Sequence, residues 1–166
     1  CGGGLRQLRA VLLDANLLLV VWSVSSDDHG VQTYAQVFDA VTGQGAGGEA
    51  LQVHGSNLGD QVVGDVAVLP GGDVVVSWLS TVEGQGDNVY AKIYGAGIDR
   101  VVANDFVVHD AGAGDWSEPS LASLENDEWV VGFSSGDGAV FTRRFDGAGE
   151  PMSGEPDRLL APRRAG

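Results

Sequence analysis

Apolar residues along this chain come in short blocks separated by clusters of glycine, aspartate and asparagine, and the blocks return at a fixed interval. Leu17-Leu18-Leu19-Val20-Val21-Trp22 recurs as Asp73-Val74-Val75-Val76-Ser77-Trp78 and as Glu128-Trp129-Val130-Val131-Gly132-Phe133, so that Trp22, Trp78 and Phe133 stand 56 and 55 residues apart. Downstream, Tyr34-Ala35-Gln36-Val37-Phe38-Asp39 returns as Tyr90-Ala91-Lys92-Ile93-Tyr94-Gly95 and Phe141-Thr142-Arg143-Arg144-Phe145-Asp146. Leu51-Gln52-Val53-His54 returns as Phe106-Val107-Val108-His109. A fixed period of this length marks stacked supersecondary units.

Within the second unit the blocks Val62 to Leu69, Val74 to Leu79, Val89 to Tyr94 and Phe106 to His109 are rich in valine, tyrosine and tryptophan. Their separators, such as Pro70-Gly71-Gly72-Asp73, carry turn residues. That is strand and hairpin chemistry. No long segment has apolar spacing of three and four, and 26 glycines interrupt any candidate, so helix is expected to be scarce. The pattern predicts an all-β fold of three four-stranded antiparallel β-meanders. A lone meander cannot bury both faces. Runs as continuously apolar as Val74-Val75-Val76 suit sheets covered on both sides by neighbouring units. Four strands per repeat at this period is the arithmetic of β-propeller blades. Three blades are too few to close a ring, so the stack is expected to stay open or to close by oligomerisation. The domain is placed at residues 6–161, with blades at about 6–54, 60–109 and 115–160, a tether at 1–5 and a tail at 162–166.

The motif from Gly-Gly-Asp-Val-Val-Val-Ser-Trp, residues 71–78, to Val-Tyr-Ala-Lys-Ile-Tyr, residues 89–94, resembles the tandem repeats of large secreted and surface bacterial proteins, RTX-type adhesins among them. The resemblance implies propeller-like blades and an extracytoplasmic setting, and it brings no catalytic residues. It is loosest in the third copy, where Phe133 replaces tryptophan. Cys1-Gly2-Gly3-Gly4 resembles the mature start of a bacterial lipoprotein, which implies a lipid anchor on Cys1 and a short tether.

Composition narrows the partners. With 23 acidic and 9 basic residues, the net charge of −14 would repel a phosphate backbone, so nucleic acid is not expected. Cys1 is the only cysteine, so no internal disulfide can form. The longest apolar run, Leu17 to Trp22, is far short of the ~20 residues of a membrane-spanning helix.

In a meander the connections between strands two and three share an end with those between units. That end gathers all three histidines, His29, His54 and His109, with Asp27, Asp28, Asp60, Asp87, Asp110, Asp115 and others. The pair His54 and Asp60 recurs as His109 and Asp115 at the same separation. His29, His54, Asp60, Asp87, His109 and Asp115 are therefore the candidate ligand or metal residues. Calcium is the cation that clustered carboxylates would take, although no loop has the spaced Asp-x-Asp-x-Asp-Gly pattern. Zinc would require His54 and His109 to converge. Turn-capping by these aspartates, with histidines ending strands on the rim, is the competing structural reading. At position 144, where the earlier copies have Val37 and Ile93, the third has Arg144, a costly charge for a buried interface. Arg143 and Arg144 are thus expected to face solvent or a protein partner.

No nucleophile elbow, paired-histidine helix or phosphate loop is present. The expectation is a non-enzymatic, extracytoplasmic binding or structural domain, acting in adhesion or as a lipid-anchored accessory subunit, with a protein partner or self-association through its terminal blades. The alternative is a carbohydrate-binding or carbohydrate-active propeller protein using the acidic, histidine-bearing end, with Trp116 as the candidate sugar-stacking aromatic.

Overall fold

Three sheets of four strands follow one another in chain order, each an antiparallel meander. The computed structural model describes residues 4–26, 29–109 and 115–160. The first sheet runs β1 (Leu5–Leu12), β2 (Leu17–Ser26), β3 (Gly30–Asp39) and β4 (Leu51–Gln52). The second holds β5 (Asp60–Val68), β6 (Val74–Val82), β7 (Gly86–Tyr94) and β8 (Val101–Val107). The third holds β9 (Trp116–Ser123), β10 (Trp129–Ser135), β11 (Val140–Phe145) and β12 (Asp157–Leu160). Helix among the described residues is confined to two single 3₁₀ turns, Ala96–Ile98 and Glu125–Asp127. None is long and apolar enough to cross a membrane. β8 starts earlier than its apolar block suggested and ends at Val107, so neither His54 nor His109 lies within a strand.

Register explains the repeat. In the second sheet Val74 pairs with Tyr94, Val76 with Lys92 and Trp78 with Tyr90. The third repeats this as Trp129 with Phe145, Val131 with Arg143 and Phe133 with Phe141. The first repeats it as Leu18 with Phe38, Val20 with Gln36 and Trp22 with Tyr34. Alternate residues share a face, so each sheet carries this six-residue set on one side. Its aromatic rungs stack at centroid distances of 6.2 Å for Trp22 and Tyr34, 5.8 Å for Trp78 and Tyr90, and 5.9 Å for Phe133 and Phe141. In the second and third sheets this face is buried against the opposite face of the sheet before it. Leu19, Val21, Ala35 and Val37 share one core with Val74, Val76 and Trp78. Val75, Ala91 and Ile93 share the next with Trp129, Val131 and Phe133.

Each junction also has a polar clamp. Lys92 Nζ donates to the Val53 carbonyl at 2.9 Å and pairs with Asp105 at 3.0 Å, while Gly55 N donates to Asp105 Oδ2 at 2.6 Å. At the next junction Arg143 Nη1 donates to the Val108 carbonyl at 3.1 Å. Arg143 is 7% exposed, which corrects the expectation that it faces outward: its strand position points at the second sheet, where the Val108 carbonyl accepts a hydrogen bond from its guanidinium. Arg144, one residue on, points the other way, is exposed and forms an ion pair with Glu128.

Candidate functional site

The first strands, β1, β5 and β9, lie side by side, β5 against β1 and β9 against β5. Between them runs a groove of about 560 Å³ lined by Gln7, Arg9, Asp65, Ser117, Pro119 and Ser120, with Val62, Val63, Gly64 and Leu79 forming its apolar floor and wall. All three strands break register beside it: between Leu5 and Gln7 in β1, between Val63 and Asp65 in β5, and in β9 where Ser117 and Ser120 face Ser134 and Gly132. A bulge inserts one residue, bends the strand and re-aims side chains, and bulges gather beside active sites. Gly64 is the inserted residue of β5, and it permits the close approach of β9. A Cβ there would lie 2.2 Å from Pro119 Cγ.

Asp65 organises the groove. Its Oδ2 accepts Leu121 N at 2.8 Å and Ser120 Oγ at 3.2 Å, and its Oδ1 accepts Val66 N at 2.9 Å. The carboxylate thus ties the second sheet to the third while Oδ1 keeps acceptor capacity toward the groove. On the other wall the Arg9 guanidinium donates to the Leu8 carbonyl at 3.0 Å. The Gln7 amide, set with its nitrogen toward the Val63 carbonyl at 3.2 Å, turns its oxygen to the Arg9 guanidinium at 2.6 Å. One cation, one oriented carboxylate, an amide and two serine hydroxyls therefore converge on a partly apolar trough. Such a set can hydrogen-bond a polyhydroxylated ligand, whose hydroxyls both donate and accept.

The residues singled out from the sequence lie elsewhere and do not converge. His54 is buried; Nε2 accepts the Thr33 amide at 3.1 Å and Nδ1 donates to the Ser56 carbonyl at 2.5 Å. His109 repeats the arrangement, accepting the Val89 amide at 3.3 Å and stacking on Trp116 at 4.7 Å. Thr33 and Val89 are equivalent residues of the repeat, so each imidazole takes over a third-strand amide just past the end of the fourth strand. Burial pulls the His54 pKa below its ordinary value, partly offset by the Ser56 carbonyl. Asp60 Oδ1 accepts Val31 N at 2.8 Å, and at the matching point of the next repeat Asp115 and Asp87 form a backbone bridge. His29 is exposed in the turn before β3. Among the described residues no three histidine, cysteine or acidic side chains are grouped as a metal ion requires. Asp27, Asp28, Asp110 and Cys1 lie outside the described residues. Trp116, the expected sugar-stacking aromatic, is instead packed edge-on against Phe133 and Phe141, each at 5.4 Å.

Sequence reasoning missed the groove because its residues have little local signature. Arg9, Asp65 and Ser117 come from three repeats and have no common motif. The signal that could have found them is the break in alternation at Gly64, an isolated glycine within a strand pattern.

No protein-family model and no curated protein matches the chain. Solved structures do. An endo-arabinase from Bacteroides thetaiotaomicron superposes with a TM-score of 0.60 at 12% identity, covering 96% of this chain and 61% of that one. A Hadza microbial sialidase superposes at 0.70 and 9%, covering 98% and 34%. A GH62 hydrolase in complex with xylotriose superposes at 0.62 and 14%, covering 96% and 52%. The chain thus spans between about a third and three-fifths of these structures. The likeness is one of fold, and it corrects the expectation of a non-enzymatic domain. An arabinase, a sialidase and a hydrolase share this architecture, so the absence of a recognisable sequence motif is no ground for excluding an enzyme.

Proposed function

We propose that the chain is a three-bladed, propeller-like part of a carbohydrate-active protein of the glycoside hydrolase kind, with the glycan lying in the groove along β1, β5 and β9. The observation that carries this reading is the groove itself. Three bulged first strands aim Arg9, Asp65, Ser117 and Ser120 into one trough, on a fold shared with three carbohydrate enzymes.

Sugar hydroxyls would donate to Asp65 Oδ1, whose carboxylate is already oriented by backbone amides, and ring or hydroxyl oxygens would accept from Arg9. Pro119 and Leu79 would take the apolar face of a sugar ring. Hydrolysis by the common route needs two carboxylates, ~5–10 Å apart. The described lining offers one, Asp65, so a catalytic pair would draw its second acid from outside that lining.

The test is calorimetric titration with xylo- and arabino-oligosaccharides and sialyllactose, alongside release of reducing sugar. We expect one of these glycans to bind, and Arg9→Ala to weaken its binding at least tenfold with an unchanged melting temperature. Absence of binding to every glycan, or equal binding by wild type and Arg9→Ala, would overturn the assignment to this groove.

A further inference from the structure

A partly buried cation in the wall of the groove has no carboxylate partner. Among the described residues Lys92 pairs with Asp105 at 3.0 Å, Arg100 with Asp73 at 3.6 Å, Arg158 with Asp137 at 3.7 Å and Arg144 with Glu128. Arg9 is paired with none of them, although the chain has 23 acidic residues to 9 basic ones. A charge drawn out of water is costly unless something pairs with it. We propose that Arg9 binds a carboxylate, so that the glycan taken by the groove is acidic, a chain containing a sugar ring that bears a carboxyl group. This inference rests on the carbohydrate reading of the groove and narrows it.

The surroundings of Arg9 belong to an internal junction. Gln7, Arg9 and Val11 alternate onto the face of β1 turned to the second sheet, where Val11 packs on the core shared by the first two sheets. Leu8 and Leu12 are exposed on the other face. A guanidinium carries five N–H donors. One goes to the Leu8 carbonyl at 3.0 Å, and two go to the Gln7 oxygen, from Nη2 at 2.6 Å and Nη1 at 3.3 Å. Those bonds leave Nε–H and the second hydrogen of Nη2, the parallel pair that grips a carboxylate side-on. Gln7 holds this fork in place, since its nitrogen is anchored on the Val63 carbonyl at 3.2 Å.

The opposite wall limits the ligand to one such group. Asp65 Oδ2 is taken up by Leu121 N and Ser120 Oγ, and Oδ1 accepts Val66 N. A further carboxylate there would meet a like charge, whereas a hydroxyl would donate to Oδ1. The trough is thus polarised across its width, and a sugar with its carboxylate toward β1 and its hydroxyls toward β5 and β9 matches both walls. The net charge of −14 repels anions at long range, but salt screens that field within about 8 Å, so the local fork decides.

The test is calorimetric titration with matched pairs, oligogalacturonides and sialyllactose against their methyl esters, which keep ring and hydroxyls and lose the charge. We expect at least one acid to bind ten times more tightly than its ester, with the preference shrinking as salt is raised. Arg9→Gln should bring the ratio close to one. Gln7→Glu, which hands the fork an internal carboxylate, should do the same, and circular dichroism melts show that both variants are folded. Esters or neutral xylo- and arabino-oligosaccharides binding as tightly as the acids would overturn this inference and leave the carbohydrate reading standing. Binding of no glycan of either kind would overturn both. Acetate binding as tightly as the acidic glycans would make the fork a general carboxylate site and also overturn the inference.

Discussion

At the scale of single residues the histidines show how a chemical side chain becomes architectural. His54 must be neutral at Nε2 to accept the Thr33 amide, and burial favours that form. In the unfolded chain its pKa is near the ordinary 6.5, so on acidification the unfolded state takes up the proton first. Stability from this group is therefore complete above about pH 6.5 and lost as pH falls from there toward the lower folded pKa. Melting temperatures measured between about pH 7.5 and 5.5 should decline, and His54→Gln, which keeps an acceptor without a titrating ring, should flatten the decline. Gly64 gives a second prediction. Gly64→Val forces a side chain into Pro119, so it should cost about 1–3 kcal/mol in urea unfolding and reduce any glycan affinity by separating β5 from β9. The role of His54 was not legible in the sequence: recurrence with the period made it a ligand or metal candidate, and its partner Thr33 is 21 residues away and appears only when β3 and the end of β4 pair.

Elements are joined by clamps whose charge is set by register. Lys92 is 11% exposed at its side chain and Asp105 21%, so this ion pair is largely desolvated, and its worth lies in what would be left unpaired without it. Lys92→Met keeps the stem's packing but leaves Asp105 without its cation. It should destabilise by about 2–3 kcal/mol in denaturant melts. Arg143→Met at the next junction strips the Val108 carbonyl of its guanidinium donor and should act in the same direction. The strands themselves were legible from blocks of valine and aromatics. Which face each cation takes was not, because Arg143 and Arg144 are neighbours in sequence and opposite in space, the consequence of a period of two.

The whole molecule is a short stack in which the middle sheet is covered on both faces and each end sheet on one. Trp78, Val75 and Ile93 are 1%, 0% and 0% exposed, while β1 carries Leu5, Leu8 and Leu12 at 63%, 49% and 58%. In such quasi-one-dimensional assemblies stability comes from nearest-neighbour interfaces. Amide exchange should therefore be slowest in β6 and β7 and at least tenfold faster in β1 and β12, as measured by deuterium uptake; uniform protection would contradict a stack of this kind.

The sequence by itself determined the all-β class, the three meanders, the period near 55 and the strand cores, because strand propensity, turn chemistry and repetition are local or periodic properties. Only the tertiary structure decided the rest. It made His54 and His109 amide acceptors, turned Arg143 inward and Arg144 outward, and left the face of Leu18, Val20 and Trp22 uncovered. It also brought Arg9, Asp65 and Ser117 into one groove, since that juxtaposition depends on how three first strands pack side by side, and no single repeat contains it.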